Sequence, residues 1–176
     1  MRTPIMQRLK AIVDPAISYA LYLMFKPMTE RYRTLCLAAP AMVIKTGGSA
    51  LAKTGATVTH YMVKGQSGQI AASTDLPAFS GTVTNAKYNV FVYTVNSAGT
   101  KALTMGTEAA TEAAVKWPNI NPEHAILGFI KIHVTGTGNF VGGTTALDDA
   151  TVFSSAAADV QYIPTVGMSF PTAVVD

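Results

Sequence analysis

With 176 residues, 49% of them hydrophobic, the chain can form one domain with a buried core plus an appendage. Charged residues make up only 13%, about half the share usual for soluble domains, and the net charge is a modest +3. One cysteine, Cys36, excludes an intrachain disulfide and a thiolate metal cluster, suits a reducing cytoplasm, and reads as a small buried hydrophobe. A surface so poor in charge is either made polar by Thr, Ser, Asn and backbone, or covered by partners, since interface cores are depleted in charge.

The charge is divided unevenly along the chain. All four arginines, Arg2, Arg8, Arg31 and Arg33, lie in the first 33 residues. Residues 1–34 hold six basic side chains against Asp14 and Glu30, a net of +4, whereas the remainder holds seven lysines against eight acids, a net of −1. A basic arm of this kind meets phosphate, an anionic membrane or an acidic protein surface. Its charges are interrupted by long apolar stretches, which makes a poor nucleic-acid stripe and favours an acidic protein surface.

Thr3 or Pro4 opens a short helix through Met6, Leu9, Ile12 and Val13. Asp14-Pro15 supplies an N-cap and a proline at the first helical position for a second helix, Ala16 to Phe25. Pro27 ends or kinks it, and Thr29 with Glu30 restarts it. Ile17, Tyr19, Ala20, Leu21, Tyr22, Leu23, Met24 and Phe25 make this helix apolar on every face, and such a helix is buried all round. It packs against other subunits or against its own sheet. The first option makes Ile17, Tyr19, Leu21, Tyr22, Leu23, Met24, Phe25, Arg31 and Arg33 the candidate partner-binding residues. The uncharged run between Asp14 and Lys26 spans about 16 Å as helix, too short for a bilayer core. Read as a signal peptide, the same stretch would contain Asp14 and Pro15, and its small-residue site would follow a charged segment. Neither an export signal nor a membrane span is expected. The arm is assigned to residues 1–41.

From Ala41 the period changes to two, and a β-rich domain over residues 42–176 is expected. Met42 to Lys45 is a short strand before the turn Thr46-Gly47-Gly48-Ser49. Thr57 to Val63 alternates, with Val58, His60 and Met62 expected inside and His60 as a core histidine. Gly65-Gln66-Ser67-Gly68 turns it into Gln69 to Ser73. Lys87 to Val95 is the strongest strand, turned by Asn96-Ser97-Ala98-Gly99 into Thr100 to Met105. Glu108 to Val115 is an alanine-rich helical turn or loop. Ala125 to Val134 is the second strong strand, with Ile130, Ile132 and Val134 inward and Phe129, Lys131 and His133 outward. Val160 to Ile163 adds a last strand. The fold class is mainly β: a small antiparallel β-sandwich with an N-terminal helical arm.

The chemical motifs are sparse. Gly136-Thr137-Gly138-Asn139-Phe140-Val141 imitates a dinucleotide fingerprint but lacks its third glycine and the helix that would hold a pyrophosphate, so it reads as a turn. Asp148-Asp149 lacks the spaced carboxylates of a calcium loop and reads as an Asx-type turn. His60, His124 and His133 form no spaced ligand set, and no serine lies in a nucleophile elbow. No catalytic residue, cofactor or metal is expected. Trp117 with Tyr88, Phe91 and Tyr93 can be a sugar-stacking platform or core; strand aromatics favour core.

The stretch His124-Ala125-Ile126-Leu127-Gly128-Phe129-Ile130, followed by the run Thr135-Gly136-Thr137-Gly138 to Thr151, resembles virion structural proteins of tailed bacteriophages. Lys87-Tyr88-Asn89-Val90-Phe91-Val92-Tyr93 and Met105-Gly106-Thr107-Glu108 are similar to the same group. The likeness spans residues 42–152 and leaves the arm out. It implies a non-enzymatic virion component, synthesised in the host cytoplasm. Its expected role is capsid decoration or cement, anchored through the arm to other virion proteins, with self-association into a homo-oligomer. The alternative is a tail-fibre or spike module that binds host-surface carbohydrate.

Overall fold

The computed structural model describes residues 33–166, which are mainly β, with several antiparallel sheets. The strands in chain order are β1 (Leu35–Cys36), β2 (Val43–Ile44), β3 (Ala52–Lys53), β4 (Thr59–Val63), β5 (Gln66–Ile70), β6 (Thr82–Val83), β7 (Tyr88–Val95), β8 (Lys101–Met105), β9 (Ala125–His133), β10 (Phe140–Val141) and β11 (Val160–Pro164). A 3-10 turn covers Glu112–Ala114, and one short helix, α1 (Ala156–Asp159), precedes β11.

The four-stranded sheet, in the order β11-β9-β7-β8, carries most of the core. Its central strand β7 reads Tyr-Asn-Val-Phe-Val-Tyr-Thr-Val and is buried on both faces from Asn89 onward. β-branched and aromatic residues on consecutive positions suit a strand covered on both sides. One face sends Phe91, Tyr93 and Val95 inward, beside Leu127, Ile130 and Ile132 of β9. The other face sends Val90 and Val92 outward to meet Ile126, with Val115, Ile120 and Phe129 packed over them.

The pairing of β7 with β9 slips once. Tyr93 opposes Gly128 while Thr94 opposes Ile126, so Leu127 is an extra residue on β9. A bulge of this kind reverses side-chain parity. Both Leu127 and Ile130 therefore face the same core although they stand three positions apart. Gly128 sits in this bend because a Cβ there would meet Met42 Cε and, at 2.7 Å, the Ile163 carbonyl.

The three-stranded sheet, β1-β4-β5, adds Cys36, Tyr61, Val63 and Ile70 to the same core. The expected hairpin is present, but its turn is Lys64-Gly65 rather than Gly65 to Gly68. Both turn residues have positive φ, 52° and 80°, as a two-residue I′ hairpin turn requires. Within β4 the expected period holds but its phase is reversed: Thr59, Tyr61 and Val63 point inward. His60 is exposed and Val58 is 41% exposed, so His60 is not a core histidine. Tyr61 decides the phase, because its ring lies over Gly68, its cross-strand partner.

The Gly/Thr-rich segment after β9 is pinned to the body. β10 pairs with β6, Phe140 opposite Val83, and Phe140 and Leu147 return to the core. Val141 is 42% exposed, since strand alternation points it away from the core that Phe140 enters.

The expected helical arm falls mostly on residues 1–32, outside the described residues. Its last part, 33–41, is strand and loop instead of helix. Leu35 pairs with Met62 and Cys36 with Tyr61, which makes β1 an edge strand of the sheet.

Candidate functional site

Of the candidate partner-binding residues, Ile17, Tyr19, Leu21, Tyr22, Leu23, Met24, Phe25 and Arg31 lie outside the described residues. Arg33 is exposed, at the root of β1. Its guanidinium donates to the Lys64 carbonyl at 3.1 Å, and its own carbonyl accepts from Gly65 N at 2.8 Å. Lys64 N donates to Thr34 Oγ1 at 3.0 Å. The chain is thereby tied to the β4–β5 turn at the point where residues 1–32 meet the sheet.

A second feature is a groove of about 330 Å³ on the outer face of β7, β9 and β11. That volume lies at the lower end of the range for small-molecule sites. The floor comes from strand alternation. Tyr88 opposes His133, and their rings stack with centroids 3.7 Å apart and planes 7° from parallel. Val90 opposes Lys131, which in turn opposes Gln161 of β11.

The wall is the segment 106–117; one backbone bridge holds it against β7 and a second closes it on itself. Tyr88 and Ala109 exchange both hydrogen bonds, at 2.8 and 3.0 Å, and Thr107 and Lys116 exchange theirs at 2.9 and 3.3 Å. From this wall Glu112 forms an ion pair with Lys131. Trp117 leans edge-on against Phe129, centroids 4.8 Å apart, while 48% of the indole stays exposed. The far side is closed by Ala158 and Asp159 of α1.

Asp159 is 7% exposed and well held: its Oδ2 accepts from Thr135 Oγ1 and from Ser155 N at 2.9 Å. Its other oxygen lies 3.8 Å from His133 Nδ1. Asn89 also lines the groove, and its Nδ2 is buried with no hydrogen-bond partner.

The groove resolves the four aromatics weighed in the sequence. Phe91 and Tyr93 are fully buried core residues, with the Tyr93 hydroxyl donating to the Pro77 carbonyl at 3.3 Å. Burial pushes the Tyr93 phenol well above its ordinary range. Tyr88 and Trp117 instead line the groove. Glu112, Lys131, Asp159 and Gln161 were not legible as site residues. Their one sequence signal is the outward parity of Lys131 and His133 beside that of Tyr88.

Asp149 makes the expected Asx-type turn, whereas Asp148 caps a distant one. Asp148 accepts from Gly48 N with both oxygens, at 3.0 and 2.9 Å, and Asp149 accepts from Thr151 N at 2.8 Å. Both carboxylates thus serve turns. Cys36 is fully buried, its thiol donates to the Ala38 carbonyl at 2.9 Å, and burial raises its pKa. Among the described residues no group of three or more His, Cys, Asp or Glu could hold a metal, and no helix is long and apolar enough to cross a membrane.

Comparison with known proteins gives no matching family model, and no curated protein or solved structure matches the chain.

Proposed function

We propose that this chain is a non-enzymatic structural subunit of a bacteriophage virion, decorating or cementing the capsid. Its body is a small β-sandwich, and its basic apolar segment 1–32, read as a helical arm, is the anchor to neighbouring virion proteins. The observation that carries this reading is the way the two parts join. A segment with net positive charge and all-round apolar sequence enters the body through β1, which is hydrogen-bonded into an edge of the sheet and fixed by Arg33 and Thr34 to the β4–β5 turn. A pull on the arm is then borne by a sheet rather than by a loose linker. The charge-poor body, with Leu37, Val43 and Val58 exposed, suits coverage by copies of itself or by neighbours.

The test is a truncation that stops at residue 32, so that β1 is kept. The shortened chain should fold, and it should fail to join particles that the full chain joins. Incorporation at normal occupancy refutes the anchor. A deletion of residues 1–40 is the wrong experiment. It removes Cys36 from the core and strips β4 of its edge partner.

A second reading, a tail-fibre or spike module that binds host-surface carbohydrate, is favoured by one observation: an exposed indole beside polar side chains in a preformed groove.

A further inference from the structure

We propose that the outer face of the β1-β4-β5 sheet is the seat of this chain's own apolar segment, Ile17 to Phe25, in the free subunit. This goes beyond the anchoring reading, and it stands whether or not the arm later binds a particle.

The face is made by strand alternation. Cys36, Tyr61 and Val63 turn inward to the core, so Leu35, His60 and Met62 turn the other way. Leu35 opposes Met62 directly, and both are half-buried. Leu37 N donates to the His60 carbonyl at 2.8 Å, which carries the pairing one residue past β1. Leu37 is 46% exposed, and Val58, one residue before β4, is 41% exposed. Leu35, Leu37, Val58 and Met62 thus form an apolar strip along β1 and β4. Beyond the strip, Ser67 and Gln69 of β5 stand opposite Met62 and His60. No Asp, Glu, Lys or Arg occupies any of these positions. An antiparallel sheet open to water on one side carries polar residues there, so an uncharged strip of four apolar side chains calls for a cover.

Three facts select residues 17–25 as that cover. The first is attachment. The arm joins the body at Arg33, which is tied to the Lys64 carbonyl at 3.1 Å only two residues before Leu35. The arm therefore starts at the rim of the strip. The second is dimension. Residues 26–32 give a connector that spans up to about 23 Å extended, enough to turn the chain back over β1. Val58 to Met62 covers about 13 Å of strand. Ile17 to Phe25, read as helix, covers about 14 Å. The third is chemistry. The segment between Asp14 and Lys26 is uncharged, so seating it on this strip buries no charge. A segment apolar on every face is also unfavourable in open water. A short tether holds it near the strip at an effective concentration in the millimolar range, well ahead of another copy at micromolar concentration.

The test uses the full chain throughout. Methyl NMR should show contacts from Ile17, Leu21 or Leu23 to Leu37, Val58 or Met62, unchanged between about 20 and 500 μM protein. Trypsin supplies a second readout, since Lys26 and Arg31 flank the segment. Leu37→Ser with Val58→Thr should speed cleavage after these two residues at least fivefold and leave cleavage within the body unchanged. Val141→Thr, exposed to a similar degree but on β10, should change neither rate. The proposal is overturned if the methyl contacts are absent, or if the double variant is cleaved no faster than the parent. It is also overturned if the contacts appear between chains in a mixture of labelled and unlabelled protein, which would seat the arm on a second copy. Particle incorporation plays no part in these measurements, so the seat and the anchor fail separately.

Discussion

Replacing Phe140 with alanine tests how the Gly/Thr-rich loop is pinned. Phe140 is fully buried, and its ring meets those of Phe79, Phe91 and Phe153 at centroid distances of 5.5, 6.0 and 5.9 Å. Those three neighbours sit on different parts of the chain, before β6, in β7 and before α1, so they cannot close together over the space left behind. Loss of a buried phenyl with an unrelaxed cavity costs about 3–5 kcal/mol, and the edge-on ring contacts place this site in the upper half of that range. For a chain of this size about 4 kcal/mol lowers Tm by roughly 8–16 °C. Denaturant unfolding of both proteins should show the midpoint falling with an unchanged slope, which marks a change in stability rather than in denatured-state compactness. The control is Val141→Ala, one residue away but 42% exposed, which should cost about 0.5 kcal/mol or less. If Phe140→Ala costs no more than this control, the loop is not held by its ring and the packing account of residues 136–149 is wrong.

Other consequences are open to the same measurements. Asp148→Asn with Asp149→Asn should cost less than about 1.5 kcal/mol, because an amide oxygen still accepts from Gly48 N and Thr151 N, and calcium should not raise Tm; a calcium-dependent rise abolished by the double variant would reveal a cation site instead. Gly136→Ala should be destabilising by about 2–3 kcal/mol, since its Cβ would meet the Thr151 carbonyl oxygen and the backbone of Val152; a neutral result means that this crossing of chains is looser than described. Burial, aided by the Asp148 charge, pushes the Tyr162 phenol from 10.0 up to about 12. The folded pKa is the higher one, so this contribution to stability is fully present below pH 10 and is lost as pH rises toward 12. Tyr162→Phe should lose less stability than the parent across that window, and equal losses would show that Tyr162 is not the group responsible.

Much of the body was legible because its strands carry strong, unambiguous patterns. β7 and β9 are long and rich in β-branched residues, and the Asn96 to Gly99 turn from β7 into β8 is closed by Asn96 Oδ1, which accepts from both Ala98 N and Thr100 N. β4 was harder for a specific reason. Val58-Thr59-His60-Tyr61-Met62-Val63 contains two interleaved sets, each with apolar members, so alternation alone cannot choose the inner face. The choice rests on Gly68, outside β4 itself but directly opposite Tyr61 in the hairpin, where it leaves room for the ring. With the turn read two residues late, that pairing was invisible. The groove was illegible for a broader reason. It is assembled from β7, β9, β11 and the 3-10 turn, and only the register of those strands brings Glu112 to Lys131 or Gln161 alongside Lys131.

That same register separates the two proposed roles in space. Tyr88 opposes His133 at one end of the β7–β9 pair, where the groove lies, and Val95 opposes Ala125 at the other. Lys64, in the turn tied to Arg33, reaches Glu123 just beyond that second end. Eight residues of extended strand put the two ends about 25 Å apart. The link between that turn and the sheet is weak, because the Lys64–Glu123 pair is more than half exposed on both sides and screened by solvent. A subunit anchored through its first residues would therefore hold the arm at one pole and present the groove at the other. Removing residues 1–32 should leave amide exchange at Ala109 N, which bonds to Tyr88 in the groove wall, unchanged within about twofold, a shift of about 0.4 kcal/mol once any change in global stability is subtracted. A larger change would show that the two poles are coupled and that the sheet between them is not the rigid spacer its paired strands imply.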